Sequence, residues 1–156
     1  MKVDPMPLCS FLWSDDSEHV LSLQQQEVNE LFETTGKDKD INTDNKWLAE
    51  HIEVFRDAGL QNPPDWNTVQ PLKNALDLAG LCRRQKEFVY FCEYKHPEVK
   101  DWCVDINMSM DFILAKEITE GCCACLAGST LLWHVPKRRL VAAPEALSIQ
   151  GFPFSL

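Results

Sequence analysis

The sequence contains no apolar run long enough to cross a bilayer, for which about 20 consecutive apolar residues are needed. Its N-terminus also lacks the charged segment followed by an apolar segment that marks a secretory signal peptide. Cysteine is present, with 7 residues, but an odd number without a secretory signal argues against a disulfide framework. We therefore expect a soluble intracellular protein that does not associate with membranes.

Basic residues are also few, with 15 Lys and Arg against 24 Asp and Glu and a formal net charge of −9. Residues 1–60 hold 13 acidic and 5 basic side chains, a net charge of −8, whereas residues 61–156 hold 11 and 10, a net charge of −1. DNA binding depends on Lys and Arg that neutralise phosphates, and an acidic surface repels DNA. Any DNA contact is therefore expected through the second half, where positive charge is compact at Arg83, Arg84, Lys137, Arg138 and Arg139.

The cysteines do not show the spacing of a zinc site. Cys122, Cys123 and Cys125 lie close together in sequence, and His134 is the nearest histidine. A tetrahedral zinc site usually takes a Cys-x-x-Cys pair together with a second such pair, and this cluster is single and irregular. We favour small core residues here and keep a metal site as the alternative. His134 is expected to be a surface or half-buried residue and not a catalytic one.

Apolar spacing predicts helices in the first two thirds of the chain. Residues 1–16 lack periodicity and predict a flexible arm, and residues 17–95 predict four amphipathic helices. The first covers 17–36, the second is closed by Gly59, the third covers about 69–79, and the fourth begins near Arg83. The aromatic residues Trp47, Phe55, Phe88 and Phe91 are expected in the core and not as platforms for nucleic-acid bases.

The period changes after residue 100, where alternation predicts strands through residue 136. Trp102, Val104 and Ile106 alternate with less apolar residues, and 113–118, 122–126 and 131–135 predict further short strands. A short final helix is predicted with Pro144 as its first residue and Gly151 as its cap. The fold class is therefore α+β, with N-terminal amphipathic helices, a small sheet and a short C-terminal helix in one domain over residues 17–156.

Residues 137–154 carry the most distinctive motif of the chain. It consists, in order, of Arg139, Leu140, Glu145, Gln150, Gly151, Phe152 and Pro153. These residues resemble the late motif of the DNA cytosine-5 methyltransferases, in which Arg, Leu and Glu precede Leu-Gln-Gly-Phe-Pro. Ala142, Pro144 and Ile149 stand where the family usually has Thr, Arg and Leu. The resemblance extends over residues 120–154, because Cys123 to Leu126 and Trp133 are similar to a Pro-Cys-Leu-Thr…Trp pattern of divergent members.

The resemblance implies roles for individual residues. In the family the late motif braces the target-recognition region against the catalytic domain, so Glu145 and Gln150 would be structural fasteners. Lys137, Arg138 and Arg139 would be DNA-contact candidates, with Arg139 nearest the DNA. The alternative interpretation of this basic triplet is a solvated edge that discourages strand pairing.

The catalytic elements of that family are missing from this chain. It contains no Phe-x-Gly-x-Gly loop for S-adenosylmethionine, no Pro-Cys nucleophile and no Glu-Asn-Val segment. We therefore expect no catalytic residues and no methyl transfer by this chain alone, with S-adenosylmethionine bound only by a complete family member. It also ends before the family's last motif, which we interpret as a sign of truncation.

Two functional interpretations remain at this point. The first is a non-catalytic fragment or degenerate paralogue of a DNA cytosine-5 methyltransferase, from the target-recognition side, with weak DNA contact and a nuclear location. Its partners would be DNA, through the C-terminal half, and a catalytic methyltransferase half or another protein. The alternative is a small non-enzymatic protein-interaction module with no DNA role.

Overall fold

A computed structural model describes residues 8–12, 18, 22–23, 26, 46–60, 81–115, 120–121, 123 and 125–152. Most of the predicted arm and the whole of the predicted third helix lie outside the described residues. Of the first predicted helix, residues 18, 22, 23 and 26 are described, and all four are helical.

The described residues form helices that precede and flank a small antiparallel sheet. A 3₁₀ turn covers Leu8–Phe11. The other elements, in chain order, are helix α1 (Lys46–Asp57), helix α2 (Arg83–Lys95), strand β1 (Cys103–Asp105), helix α3 (Met110–Ala115), strand β2 (Leu132–His134), strand β3 (Arg139–Leu140) and helix α4 (Ala143–Ile149). This order confirms the predicted α+β class with a small sheet and a short C-terminal helix. None of the described helices is long and apolar enough to cross a membrane.

The sheet has the order β1-β2-β3, and both neighbouring pairs are antiparallel. Val104 pairs with Trp133, which pairs with Leu140, so these three residues share one face. On the opposite face Cys103 pairs with His134, which pairs with Arg139. The sheet register therefore places one apolar row and one polar row on opposite sides.

The apolar row packs against the helices. Val104, Trp133 and Leu140 belong to a buried cluster with Phe55 of α1 and Phe88 of α2. Aromatic rings make up much of this core: the ring centroids of Phe55 and Phe91 are 5.5 Å apart, and those of Phe55 and Tyr90 are 6.0 Å apart. The core expected from helical spacing is confirmed for Phe55, Phe88 and Phe91, while Trp47 is half-buried.

The polar row is covered as well, by α4 and the 3₁₀ turn. A second apolar cluster joins Leu8 of the turn, Cys103 and Leu132 of the sheet, Val141, and Ala146 of α4. Since both faces of the sheet are covered, most of the strand residues are buried and the strands do not show a clean alternation of buried and exposed positions.

Two of the predicted strands are wrong in the described residues. Residues 113–115 of the predicted strand 113–118 belong to α3. The carboxylate of Glu50 in α1 accepts hydrogen bonds from the backbone N–H groups of Met110 (2.7 Å) and Asp111 (3.3 Å), and thereby caps the first turn of α3. Residues 123, 125 and 126 are not in a strand either, and the Ala127 N–H donates to Thr130 Oγ1 in a turn that follows.

The predicted helix ends agree closely with the structure. Gly59 follows α1 with φ of 75°, and Gly151 follows α4 with φ of 89°, both in the left-handed region that favours glycine. Helix α4 begins at Ala143, so Pro144 is its second residue and not its first. Proline is tolerated there because the N–H groups of the first turn have no intrahelical partner.

We expect Phe55→Ala to lower the free energy of unfolding by about 3–5 kcal/mol, because the ring is fully buried between helices. Urea denaturation followed by circular dichroism measures the change. Phe152→Ala is the control, since that ring is 58% exposed and its removal should change stability far less. Equal losses in the two variants would contradict this core.

Candidate functional site at the sheet and the C-terminal helix

Arg139 lies in β3 and is almost fully buried, with 5% of its surface exposed. Its Nη1 donates to Glu145 Oε2 and its Nη2 donates to Glu145 Oε1, each at 2.8 Å. Nη1 also donates to the carbonyl oxygen of Leu140 at 2.9 Å. This is a two-pronged, charge-assisted pair, the strongest geometry that Arg and a carboxylate form.

Glu145 lies in the first turn of α4 and has no exposed surface. Besides holding Arg139, its Oε2 accepts a hydrogen bond from the Ala142 N–H at 2.9 Å. Ala142 has no side-chain acceptor, so Glu145 provides the side-chain half of a capping box by itself. A carboxylate at this position also interacts favourably with the helix dipole. Glu145 therefore joins β3 to α4, which is the geometry that a structural fastener requires.

The other basic residues of the triplet lie in the hairpin between β2 and β3. Arg138 has φ of 54°, an uncommon value for a residue other than glycine. Its Nε donates to Glu93 Oε1 of α2 at 2.9 Å, and its Nη2 is buried without a hydrogen-bond partner. Lys137 is half-buried. The three DNA-contact candidates are therefore dispersed, with Arg139 inside the fold and Lys137 and Arg138 at the hairpin.

His134 in β2 is buried, so the expectation of a surface or half-buried residue is wrong. The backbone N–H of Lys137 donates to Nδ1 at 3.0 Å, and Nε2 lies 3.3 Å from Asp101 Oδ1. Because Nδ1 accepts, the proton of the neutral ring is on Nε2 and is donated to Asp101. Burial lowers the pKa of His134, which favours this neutral form. Both ring nitrogens have partners, so burial of the ring does not leave an unsatisfied polar atom.

The remaining residues of the late motif divide between core and surface. Leu140 is buried in the core. Gln150 and Phe152 are exposed at the end of α4, where the Phe152 N–H donates to the Leu147 carbonyl at 3.1 Å. Pro153 lies outside the described residues. The Gln150 side chain is thus exposed and is not packed inside the fold.

Arg83 and Arg84, the second site of compact positive charge, are engaged within the fold. Arg83 Nε donates to Glu87 Oε1 at 2.7 Å, and Glu87 Oε2 lies 2.8 Å from His51 Nδ1. Arg84 donates to the carbonyl oxygens of Ile106 (3.3 Å) and Met108 (3.0 Å), which orders the segment after β1. These hydrogen bonds lower the positive potential that the two arginines offer to a phosphate.

The pair formed by His51 and Glu87 was not predicted from the sequence. Both side chains are buried, and the rings of Trp47 and His51 lie nearly perpendicular with centroids 5.1 Å apart. The spacing of four residues between Arg83 and Glu87 was a readable signal for part of this cluster. His51 could not be assigned in the same way, because it comes from α1, 36 residues earlier.

Over the described ranges, no three His, Cys, Asp or Glu side chains form a group that could hold a metal ion. Cys122 and its expected role lie outside those ranges. Comparison of the chain with protein-family models, with curated proteins and with solved structures found no match.

We expect Arg139→Ala and Glu145→Ala each to lower the free energy of unfolding by about 3–5 kcal/mol, because each leaves a buried charge without its partner. In the double variant the decrease should be clearly smaller than the sum of the two single decreases. Denaturant unfolding of the four chains measures this coupling. Arg138→Ala is the control and should cost about 1 kcal/mol or less, since its pair with Glu93 is partly exposed. Additive decreases would contradict a direct interaction.

We expect the fold to lose stability as pH falls below about 6.5. His134 has a folded-state pKa below its ordinary value of 6.5, so below that pH the unfolded chain binds more protons than the folded chain. Its contribution is thus complete above pH 6.5 and is lost as pH falls towards the folded pKa. Thermal unfolding across this range measures the effect.

The matched variant for this experiment is His134→Asn, whose carbonyl oxygen is a possible acceptor for the Lys137 N–H. Burial also lowers the pKa of His96, so both chains should carry His96→Asn. The chain that retains His134 should show the steeper loss of stability towards acid. Parallel curves would contradict the assignment to His134.

Proposed function

We propose that this chain is a non-catalytic fragment or degenerate paralogue of a DNA cytosine-5 methyltransferase, from its target-recognition side. The buried pair of Arg139 and Glu145 is the observation that supports the proposal. These are the two charged positions of the motif that resembles that family, and here they join a strand to the start of a helix. A bracing role implied by the resemblance requires such an arrangement.

The DNA contact in this proposal is weak and is made by Lys137 and Arg138. Both lie in the hairpin between β2 and β3 and are partly accessible. Arg139 has no free donor face, because Glu145 and the Leu140 carbonyl occupy its Nη atoms. Two half-buried cations on an acidic protein give a contact that depends on phosphate charge and carries little sequence information.

The proposal includes the other properties that the resemblance implies. S-adenosylmethionine would be bound only by a complete family member, and methyl transfer would need a catalytic methyltransferase half as a partner. The exposed Gln150 and Phe152 at the end of α4 lie where such a partner could contact the late motif. A nuclear location follows from the same proposal.

A second candidate function is a non-enzymatic protein-interaction module without a DNA role. Large apolar side chains are exposed at Leu147 (36%) and Phe152 (58%), and the backbones of these two residues are hydrogen-bonded at the end of α4. A contiguous apolar patch marks a surface that binds protein, and Leu147 and Phe152 are the large apolar side chains exposed at this end of α4. The acidic first half of the chain is compatible with this role, since it repels DNA.

We expect the chain to bind a short duplex weakly and with strong dependence on salt, and Lys137→Ala with Arg138→Ala to weaken that binding. The slope of the logarithm of affinity against the logarithm of salt concentration should become shallower by about 0.9 for each phosphate that the variant no longer neutralises. Fluorescence anisotropy of a labelled duplex measures both quantities.

Lys46→Ala with Arg56→Ala is the matched control, because both residues are exposed on α1, which is not part of the hairpin, and the pair removes the same charge. The control should keep the affinity and the slope of the parent chain. Equal weakening by both double variants would show attraction by net charge alone. Binding by none of the chains would contradict the DNA contact and favour the protein-interaction module.

A further inference from the structure

Arg138 in the hairpin between β2 and β3 forms an ion pair with Glu93 of α2. Its Nε donates to Glu93 Oε1 at 2.9 Å, and 29% of the Arg138 side chain and 26% of the Glu93 side chain are exposed. The two residues are 45 positions apart in sequence, so the pair links the hairpin to α2. Because both side chains are partly exposed, water and salt screen the pair, and it contributes little to the stability of the fold.

The backbone holds Arg138 at a fixed position on the hairpin. The Arg138 N–H donates to the carbonyl oxygens of His134 (2.9 Å) and Val135 (3.1 Å), and Arg138 has φ of 54°. Glycine adopts such a left-handed conformation without the cost that a residue with a Cβ carries. The turn itself therefore gives no preference for arginine, and what distinguishes this residue from glycine is its guanidinium.

The ion pair does not satisfy the whole guanidinium. Nη2 of Arg138 is buried and has no hydrogen-bond partner among the described residues, although a guanidinium carries five N–H donors. A buried donor without a partner is unfavourable. The phosphate of a nucleic-acid backbone accepts two parallel N–H bonds from arginine, whereas the pair with Glu93 uses Nε. A phosphate at the hairpin therefore competes with Glu93 for the guanidinium.

We propose that Glu93 is an intramolecular competitor of DNA, which holds the Arg138 guanidinium in the free chain and releases it when a backbone phosphate binds at the hairpin. This role of Glu93 rests on the proposed function, because it concerns the same DNA contact. After the exchange the carboxylate is solvated by water, since its side chain is partly exposed already. Glu93 thus limits the affinity of the contact without touching the DNA.

The test measures the affinity for a short labelled duplex by fluorescence anisotropy, for the whole chain and for Glu93→Gln. Glutamine keeps the shape of the side chain and an oxygen that accepts from Nε, so the hairpin stays attached to α2 while the charge is lost. We expect Glu93→Gln to raise the affinity by up to about fivefold, since a neutral hydrogen bond replaces a partly exposed ion pair.

Glu53→Gln is the matched control, because Glu53 is exposed on α1 and the variant loses the same charge. It should raise the affinity far less than Glu93→Gln does. Arg138→Ala supplies the second comparison, since a chain without this guanidinium has nothing for Glu93 to hold. In that chain most of the gain from Glu93→Gln should disappear, which separates competition for Arg138 from a change in net charge.

A measurement without DNA tests the ion pair itself. The ¹⁵N NMR spectrum of the arginine side chains should include a slowly exchanging Nε–H signal that is missing from Arg138→Ala and exchanges faster in Glu93→Gln. If Glu93→Gln leaves the exchange of the Arg138 signal unchanged, Glu93 does not hold the guanidinium and the proposal is overturned.

The binding outcomes separate this role from the proposed function. If the parent chain binds the duplex and Glu93→Gln binds no better than Glu53→Gln, the competition is refuted while the DNA contact stands. An equal gain in the chain that carries Arg138→Ala refutes it as well. If Glu93→Gln binds and the parent does not, the competition is supported. If neither chain binds, the DNA contact and the competition both fail.

Discussion

The buried pair of Arg139 and Glu145 is the interaction on which the C-terminal part of the structure depends. A guanidinium and a carboxylate are removed from water together, which is tolerable only if nearly all of their hydrogen-bonding atoms find partners. The Leu140 carbonyl and the Ala142 N–H, both between the two residues in sequence, supply the additional partners. The chain must therefore turn sharply between β3 and α4, and that turn lays α4 across the polar face of the sheet.

The other polar groups on that face follow the same constraint. With α4 and the 3₁₀ turn covering the sheet, the row of Cys103, His134 and Arg139 is excluded from solvent. The two ionisable members are each paired with a carboxylate: His134 with Asp101 and Arg139 with Glu145. The polar character of this face thus serves internal pairing, while Lys137 and Arg138 of the basic triplet are half-buried at the hairpin.

The sequence predicted best those features that are local. Apolar spacing at i and i+4 located α1 and α2, and alternation located β1 and β2. Glycine residues marked the ends of α1 and α4, where the structure has positive φ. The burial of His134 was missed because its partner Asp101 is 33 residues away, and a single sequence does not show which strands pair. For Arg139 a local signal existed, since Glu145 was expected at the start of a helix. This signal did not show that Glu145 pairs with Arg139, because the pairing depends on the direction in which β3 leads into α4.

The cap that Glu50 provides for α3 has a consequence for the order of folding. Helix α3 has six residues, fewer than an isolated helix needs to be stable in water. Its first N–H groups depend on a carboxylate 60 residues earlier in the chain, so the helix can persist only after α1 has docked. Helices α1 and α3 should therefore form and melt as one cooperative unit, and amide protons of α3 should exchange with solvent whenever α1 detaches.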